Sequence, residues 1–375
     1  MPEKWFPLKV LVCTNCWLVQ TEDIVGFDEI FSADYAYFSS FSSSWLQHAE
    51  LYVDEMIQKL ELNSDSMVVE VAANDGYLLQ YFIENDIRCF GIEPTNSTAE
   101  GARKKGLEII EDFFGSVLAR KLVSENKQAD LIVANNVLAH VPEINDFVKG
   151  FSILLKEDGV ATFEFPHLVN LVEKIQFDTI YHEHFSYLSL VAVKTIFEVN
   201  GLVIFDVEQL PTHGGSLRVL AQRSDSGKRK QKSTVNTLLQ SEQAIGISGI
   251  GFYRDFQYKV EMVKDALLEF LLRCKNEDKI VVAYGAAAKG NTILNYSGIR
   301  QDLLKYVVDK NPVKSGKFLP GNRIPIYDVS VLDKDKPDYV LILPWNLCDE
   351  IMNQISHVKD WGGQCFVAVP SLKFL

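Results

Sequence analysis

An alternation of short apolar runs with helical segments begins at residue 67, and it constrains the fold more than any other feature. The apolar runs lie at residues 67–72, 89–92, 108–110, 131–134 and 159–165. Segments with helical spacing lie among them, at residues 77–85, 98–105 and 144–155. Strands and helices in this order predict an α/β domain, in which a parallel sheet carries helices on both faces.

The rest of the chain predicts a second α/β unit joined to the first by a linker. Residues 202–208 and 217–222 suit a hairpin at the edge of the first sheet. Residues 224–233 are polar and basic, as in a linker, and a helical stretch over 234–276 is interrupted at 246–251. Further strands are expected at residues 280–284, 306–308, 339–343 and, as the last of the chain, 365–369.

A chain of 375 residues is too long for one ordinary domain, and we expect it to have several parts. They are an N-terminal module with two cysteines and an aromatic loop (1–45), a first α/β domain that opens with a helix over 48–60 (46–223), a linker with helices (224–276) and a second, Rossmann-like α/β domain (277–375).

Composition excludes several classes of partner. The net charge of −13 argues against nucleic acid, because phosphate binding needs a basic face. No run approaches about 18 apolar residues, so no membrane span is expected. The N-terminus lacks the apolar region of a signal peptide. Apart from Cys13 and Cys16 the six cysteines are scattered, which fits a reducing cytoplasm.

The first strand-to-helix turn has the sequence EVAANDG, residues 70–76. It lies where ligands bind in open α/β sheets, outside the carboxyl end of a strand. Ala72 is small enough for a ligand to approach the backbone, and Gly76 permits an unusual φ. A dinucleotide site would have glycine at the places of Ala72 and Asn74. S-adenosylmethionine (SAM) carries no phosphate, and Asn74 and Asp75 suit its amino-acid and ribose groups.

The next strands also end in polar residues. Glu93 lies 23 residues after Glu70 and can accept hydrogen bonds from both ribose hydroxyls. Asp112 follows the third strand, near the expected adenine, and Asn135 ends the fourth, near the expected methionine moiety. We therefore expect a SAM site, with an NAD-binding Rossmann-like unit as the alternative. The expected cofactor residues are Glu70, Ala72, Asn74, Asp75, Gly76, Glu93, Asp112 and Asn135.

The segment YHEH, residues 181–184, follows the fifth strand, where loops carry acceptor-binding groups. Its histidines are two residues apart, whereas a helical zinc pair needs a spacing of about four. In a strand, His182 and His184 would share one face. A structural cluster is one interpretation, but we favour acid/base chemistry, because histidine titrates near neutrality. Glu183 can orient His184 or raise its basicity.

Two other histidines are candidates. His140 lies just past the fourth strand and is expected either to act in acid/base chemistry or substrate contact, or to have a structural role. His213 begins the run HGGS, which resembles a loop that a substrate approaches; a tight hairpin turn explains it equally well.

Ten stretches that together extend over nearly the whole chain are similar to one family. They are FPLKVLVCTNCWLVQ (6–20), DYAYFSSFSSSW (34–45), VVEVAANDGYLLQYF (68–82), FGIEPT (90–95), ANNVLAHVPEINDF (134–147), IYHEHFSYLSL (180–190), LPTHGGSLRV (210–219), AYGAAAKGNTILNY (283–296), VVDKNPVKSGKFLPG (307–321) and LILPWN (341–346). The chain thereby resembles the nucleotide-sugar C-methyltransferases of deoxysugar biosynthesis, which methylate C3 of 4-keto sugars.

The resemblance implies a zinc-binding N-terminal module, a central SAM domain and a C-terminal Rossmann-like domain. It implies that His184 is the base, with Glu183, Tyr181 and His140 around the reacting carbon and Tyr35 closing over the site. A 4-keto group makes the C3 proton removable, so His184 would generate an enolate. Tyr181 or His140 would then donate a hydrogen bond to the enolate oxygen.

The second α/β unit carries GAAAKG, residues 285–290, at a strand end. Lys289 and the helix N-terminus are expected to bind the nucleotide diphosphate, with help from Asn291; a domain used only for packing is the alternative.

The family's zinc module uses two Cys-x-x-Cys pairs, whereas this sequence has only Cys13-x-x-Cys16. Structural zinc takes a tetrahedral set of ligands, so the sequence supplies half a site. Either an upstream pair is missing from this sequence or the metal has been lost. Other functions also stay open at this point. They are O- or N-methyl transfer to another small molecule, SAM sensing without catalysis, and NAD-linked oxidation of a nucleotide sugar.

Overall fold

The computed structural model describes residues 3–22 and 38–375, and in them the chain forms three sheets. In chain order the strands are β1 (Val10–Val12), β2 (Val19–Thr21), β3 (Met67–Val71), β4 (Arg88–Ile92), β5 (Ile109–Ile110), β6 (Ala129–Asn135), β7 (Leu155–Pro166), β8 (Ser186–Tyr187), β9 (Leu202–Leu210), β10 (Ser216–Arg223), β11 (Val281–Tyr284), β12 (Val307–Val308), β13 (Ile326–Tyr327), β14 (Tyr339–Ile342), β15 (Gln364–Val367) and β16 (Lys373–Phe374). The helices are α1 (Ser43–Leu60), α2 (Leu79–Glu84), α3 (Asn96–Lys104), α4 (Ser116–Ser124), α5 (Ile144–Leu154), α6 (Leu168–Glu173), α7 (Leu190–Val199), α8 (Ser233–Ala244), α9 (Ile250–Arg254), α10 (Phe256–Asn276), α11 (Ala288–Tyr296), α12 (Val331–Asp335) and α13 (Cys348–Gln354).

The central sheet has the order β5-β4-β3-β6-β7-β10-β9, and its strands are parallel except for β10. Successive residues of β3 serve opposite faces, as the pleat requires. Val68 packs with helices α1, α2 and α3, whereas Val69 packs with α4, α5 and α7. The predicted α/β domain, a parallel sheet covered on both faces, is confirmed.

The C-terminal domain, by which we mean sheet β13-β12-β11-β14-β15-β16 and its helices, is also α/β. Strand β16 differs from the sequence prediction, which placed the last strand at 365–369. Strand β15 ends at Val367, and Lys373–Phe374 pairs antiparallel to it, with Phe374 opposite Phe366. Two residues are too few to show a periodic pattern, so no sequence signal marks this strand.

Helix α7 had no counterpart in the sequence prediction. Its sequence, LVAVKTIFEV, is rich in β-branched residues, which favour strands. The helix forms because Ser189 caps its N-terminus, accepting a hydrogen bond from the Ala192 N–H. Burial of Val193 and Phe197 against the central sheet then outweighs propensity.

The N-terminal hairpin β1–β2 forms the third sheet with β8, because Val19 and Gln20 of β2 pair antiparallel with Tyr187 and Ser186. No helix in the described ranges 3–22 and 38–375 is both long and apolar enough to cross a bilayer.

Candidate active site

The turn between β3 and α2 has an unusual backbone. Ala72, Asn74 and Gly76 have φ values of 60°, 49° and 74°. The Ala72 N–H donates to the carbonyl of Ile92 in the next strand at 2.8 Å. A Cβ atom on Gly76 would lie 2.1 Å from Cδ1 of Leu107, so the turn requires glycine there. The turn is therefore tightly fixed against β4.

Glu93 is held by this turn. Its Oε2 accepts a hydrogen bond from the Asn74 N–H and its Oε1 from the Thr95 N–H, both at 2.9 Å. Burial raises the pKa of Glu93, and the two N–H donors oppose that rise. Each carboxylate oxygen has a second lone pair, so the group can also accept hydrogen bonds from ribose hydroxyls.

Two unpartnered acceptors lie at the carboxyl ends of β3 and β6. Among the described residues, Oδ1 of Asp75 and Oδ1 of Asn135 are buried without a hydrogen-bond partner. Burial also raises the pKa of Glu70 well above its ordinary value, while Tyr77 lowers it and Asp75 raises it further. Buried acceptors without donors are costly unless a ligand supplies donors. The ammonium, ribose and adenine amino groups of SAM are such donors, so these residues fit SAM.

Asp112 is placed differently. It follows β5, at the outer edge of the sheet beyond β4, and its side chain is exposed. Its Oδ1 accepts a hydrogen bond from the Phe113 N–H at 2.8 Å, which leaves Oδ2 for other donors.

His184, His140 and Tyr181 form one cluster. The ring centroids of His140 and His184 are 4.7 Å apart, and those of Tyr181 and His184 are 4.1 Å apart. Two backbone hydrogen bonds create this arrangement: the His184 N–H donates to the Tyr181 carbonyl at 3.0 Å, and the Phe185 N–H donates to the Ala139 carbonyl at 2.8 Å. Residues 181–184 are therefore a turn, and the strand geometry considered for them is wrong.

The protonation of His184 follows from its contact with Thr179. Its Nδ1 lies 2.9 Å from the Thr179 carbonyl oxygen. A carbonyl only accepts, so the neutral ring carries its proton on Nδ1 and keeps a lone pair on Nε2. Burial, and then the nearby His140, lower the pKa of His184 well below its ordinary value. The imidazole is therefore neutral near pH 7, with Nε2 able to accept a proton.

Glu183 does not orient His184, contrary to the sequence hypothesis. The turn gives that role to the Thr179 carbonyl. Within the described residues the Glu183 carboxylate makes no hydrogen bond or ion pair, and burial raises its pKa. His182 faces the N-terminal segment, with Nε2 3.0 Å from the Pro7 carbonyl. Tyr35 lies outside the described residues.

His213 lies in the turn between β9 and β10, with a φ of 53°. Its Nε2 is 3.2 Å from Nδ2 of Asn136, and its ring is edge-on to Trp45 at 5.2 Å. Burial, followed by the charge of Lys289, lowers the pKa of His213 to about 4. His213 therefore lies in a tight hairpin turn, as one interpretation expects, and it also feels the charge of Lys289, a candidate substrate-binding residue.

Lys289 brings the C-terminal domain to this site. Its Nζ donates to Oδ1 of Asn346 at 2.6 Å and lies 4.7 Å from the ring centroid of Trp345. Burial lowers the pKa of Lys289 to about 8, while Asp178 raises it. Its charge also lowers the pKa of His184, as it does that of His213. Lys289 therefore acts electrostatically on both histidines from the side of the C-terminal domain.

Asn291, which the sequence grouped with Lys289, is engaged within α11. Its Oδ1 accepts a hydrogen bond from Nδ2 of Asn295 at 3.0 Å. Its own amide group remains to contact a ligand.

A buried ionic network at the end of β7 was missed by sequence reasoning. The Glu164 side chain is fully buried, with Oε2 2.8 Å from Nε2 of His48 and 3.2 Å from Arg218, and Oε1 2.9 Å from Thr212 Oγ1. Burial raises its pKa, but His48, Arg218 and Thr212 outweigh burial and the net shift is downward. The available signal was its place at a strand end, the rule that identified Glu93.

The N-terminal cysteines lie in the hairpin β1–β2, where the Trp17 N–H donates to the Cys13 carbonyl at 2.9 Å. Cys13 and Cys16 are free and half-buried. In residues 3–22 and 38–375 no group of three or more His, Cys, Asp or Glu side chains is arranged to hold a metal ion. Two thiols do not complete a structural zinc site, so these residues do not fit zinc by themselves.

Family models match three parts of the chain. A C-methyltransferase C-terminal domain matches residues 211–370, a methyltransferase domain matches residues 45–207 and a zinc binding domain matches residues 1–31. The C-methyltransferase NovU of Streptomyces niveus is 34% identical over 368 residues, which cover 98% of this chain and 87% of NovU.

Solved structures are similar to about half of the chain. The PH0226 protein from Pyrococcus horikoshii matches with a TM-score of 0.43 and 16% identity, over 53% of this chain and 100% of that protein. The magnesium protoporphyrin IX methyltransferase from Synechocystis, with bound S-adenosylhomocysteine, matches with a TM-score of 0.38 and 14% identity, over 53% of this chain and 92% of that protein.

Proposed function

The chain belongs to the SAM-dependent C-methyltransferase family, and from that premise we propose that it methylates C3 of a nucleotide-linked 4-keto-deoxysugar. Asn74, Asp75, Glu93 and Asn135 would hold SAM at the carboxyl ends of β3, β4 and β6. When bound, SAM supplies an electrophilic methyl carbon.

The observation that carries the proposal is the neutral, buried His184, whose Nδ1 donates to the Thr179 carbonyl. Its Nε2 is a base for a carbon acid. A 4-keto group gives C3 an acidic proton, because the electron pair released from the C3–H bond is delocalised onto O4. His184 would take that proton and later return it to solvent, and C3 would bond to the methyl carbon of SAM, whose bond to sulfur breaks with its electron pair left on sulfur.

The enolate oxygen needs a hydrogen-bond donor as its charge develops. The ring centroids of Tyr181 and His140 lie 4.1 Å and 4.7 Å from that of His184, so we assign the donor to one of these two side chains. Glu183 has no partner within the described residues, and we assign it to a sugar hydroxyl rather than to His184. Tyr35 would close the site.

Lys289, with Asn291 and His213, is assigned to the nucleotide-linked part of the substrate. The ammonium of Lys289 is half-buried next to the histidine cluster, where a diphosphate would neutralise it. Replacement of Lys289 by alanine is expected to raise KM for the sugar nucleotide sharply while kcat is kept, as for uniform binding. A fall in kcat without a change in KM would exclude this role.

The decisive experiment compares the wild type with His184→Asn on candidate 4-keto-sugar nucleotides and SAM. Mass spectrometry should find one added methyl group with the wild type and none with the variant. In heavy water without SAM, the wild type should exchange the C3 proton and the variant should not. Exchange at the wild-type rate in His184→Asn would exclude His184 as the base.

A further inference from the structure

The C-terminal domain contacts the segment that carries His184, which we call the histidine loop (residues 177–187). Trp345 donates from Nε1 to Oδ2 of Asp178 at 2.7 Å. Thr292, in α11, donates from Oγ1 to the carbonyl of Ile180 at 3.0 Å. These two hydrogen bonds reach the residues immediately before and after Thr179.

Thr179 is the residue whose carbonyl orients the ring of His184. Its own hydroxyl donates to the Gln176 carbonyl at 2.6 Å, which closes a tight turn at the start of the loop. Any shift of this turn moves the acceptor of the Nδ1 proton. The position of the Nε2 lone pair therefore depends on where residues 178–180 are held.

Apolar side chains pack around these two partly buried hydrogen bonds. Phe177 and Ile180 are buried in the same apolar cluster as Ile293 and Leu294 of α11, and the Phe177 ring lies 5.5 Å from that of Tyr296. A hydrogen bond in such surroundings is costly to leave unmade, because its acceptor has been partly withdrawn from water. The two contacts are thus strong determinants of where the loop lies.

The opposite end of the histidine loop is held by the N-terminal hairpin. Thr21 donates from Oγ1 to the carbonyl of His184 at 2.9 Å, and its N–H donates to the carbonyl of Phe185 at 3.1 Å. The loop is therefore fixed from two sides, and the C-terminal domain supplies the side next to Thr179.

We propose that the C-terminal domain positions the catalytic base, and that Thr292 and Trp345 are its positioning residues. The proposal rests on the proposed role of His184. It gives the domain a task separate from substrate binding: to keep residues 178–180 where the Thr179 carbonyl selects the Nδ1-protonated form of the ring. Enzymes lose rate steeply when a reacting group is displaced, so this task bears on kcat.

The test uses the matched pair Thr292→Val and Thr292→Ser in the full chain. Valine has nearly the shape of threonine but no donor, whereas serine keeps the hydroxyl. With Thr292→Val, kcat for methylation and the rate of C3 proton exchange should both fall by about tenfold to a hundredfold. KM for SAM should stay at its wild-type value, and Thr292→Ser should restore kcat. Trp345→Phe, which removes the indole donor together with part of the ring that packs on Lys289, should lower kcat in the same direction.

A second measurement does not depend on the substrate. In protein labelled with ¹⁵N-histidine, the ring nitrogens of His184 can be assigned by their loss in His184→Asn. The wild type and Thr292→Ser should show a single Nδ1-protonated form, and Thr292→Val should show a mixture of the two neutral forms.

A single wild-type form in Thr292→Val, or an unchanged kcat together with a raised KM for the sugar nucleotide, would overturn the proposal. Failure of the wild type to methylate any 4-keto sugar would count instead against the proposed function. The histidine spectra would still decide whether the domain positions the ring.

Discussion

Oε2 of Glu164 lies 2.8 Å from Nε2 of His48, although 116 residues separate the two in the chain. The contact joins the end of β7 to helix α1, where the Trp45 ring stacks on that of His48 at 4.9 Å. Through Thr212 the same carboxylate holds the turn that carries His213. One buried charge thus ties a central strand, a helix and a substrate-side turn together.

Glu164→Gln should destabilise the protein strongly, because Arg218 and His48 lose a buried anionic partner. A loss of roughly 3–5 kcal/mol in the free energy of unfolding is typical of breaking a buried pair. The control is Glu55→Gln, an exposed carboxylate 3.3 Å from the same Arg218, for which a change below about 1 kcal/mol is expected. Urea denaturation of the two variants measures the difference, and equal losses would contradict this account.

The same pair has a pH dependence of known sign. The folded pKa of Glu164 lies below its ordinary value of 4.5, so its stabilisation is present above pH 4.5 and is lost as the pH falls through the folded pKa. The difference in free energy of unfolding between the wild type and Glu164→Gln should therefore become smaller as the pH falls. If this difference instead grew as the pH fell, the folded protein would not be stabilising the Glu164 carboxylate as its anion.

Gly76→Ala should damage the cofactor turn more than a matched glycine change elsewhere. The new Cβ would lie 2.1 Å from Leu107 Cδ1, and the φ of 74° disfavours any side chain. Gly106→Ala is the control, since its φ of 84° is similar but no atom lies within 4 Å of its Cβ position. The control should lose about 1–2 kcal/mol of folding free energy, from backbone strain alone. Gly76→Ala should lose more folding free energy than this control. Thermal unfolding compares the stability of the two variants, and calorimetry compares their affinity for SAM.

Glu93→Ala should weaken SAM binding. Each hydrogen bond to a charged group contributes about 1.5–3 kcal/mol. The Kd for SAM should therefore rise by about tenfold to a hundredfold. Glu108→Ala, an exposed carboxylate paired with Lys127 beside the same sheet, should leave Kd unchanged. Titration calorimetry with SAM measures Kd for both variants and the wild type. An unaltered Kd in Glu93→Ala would remove this residue from the cofactor site.

His140→Gln should make the protein less sensitive to acid. Burial lowers the pKa of His140 from 6.5 to about 4, so the unfolded chain binds a proton in this range before the folded chain does. His140 therefore costs the folded protein no stability above pH 6.5. As the pH falls toward 4, proton binding by the unfolded chain lowers the free energy of unfolding. The free energy of unfolding should therefore fall less steeply over that range in the variant. If the free energy of unfolding depended on pH in the same way in the variant and the wild type, the lowered pKa of His140 would be refuted.

The sequence predicts which residues lie at the cofactor edge of the sheet, but it predicts the surroundings of the proposed base only in part. Glu93 and Asn135 are predicted to lie there because strand ends in a parallel sheet share one edge, a rule that needs only the alternation of elements. The approach of His140 to His184 depends on the Phe185–Ala139 hydrogen bond, which no local pattern encodes. At the level of sequence, the proposal that His184 is the base therefore rests on family resemblance.

Backbone contacts are the part that residue types cannot reveal. The carbonyl of Thr179 would be the same in any residue, so nothing in the sequence marks it as the partner of His184. Trp345 lay within a stretch that we matched to the family, yet its hydrogen bond to Asp178 joins two domains and has no local signature. Such contacts are set by tertiary packing.

The hydrogen bonds at the two sides of the histidine loop have a consequence for folding. Thr21 and His184 are 163 residues apart, and Asp178 and Trp345 are 167 apart. Contacts of such sequence separation form late, because loop closure costs entropy before the contact stabilises anything. During refolding, the helices and the sheets of the two α/β domains should therefore be restored before enzymatic competence. Competence needs distant regions of the chain to meet at a single imidazole.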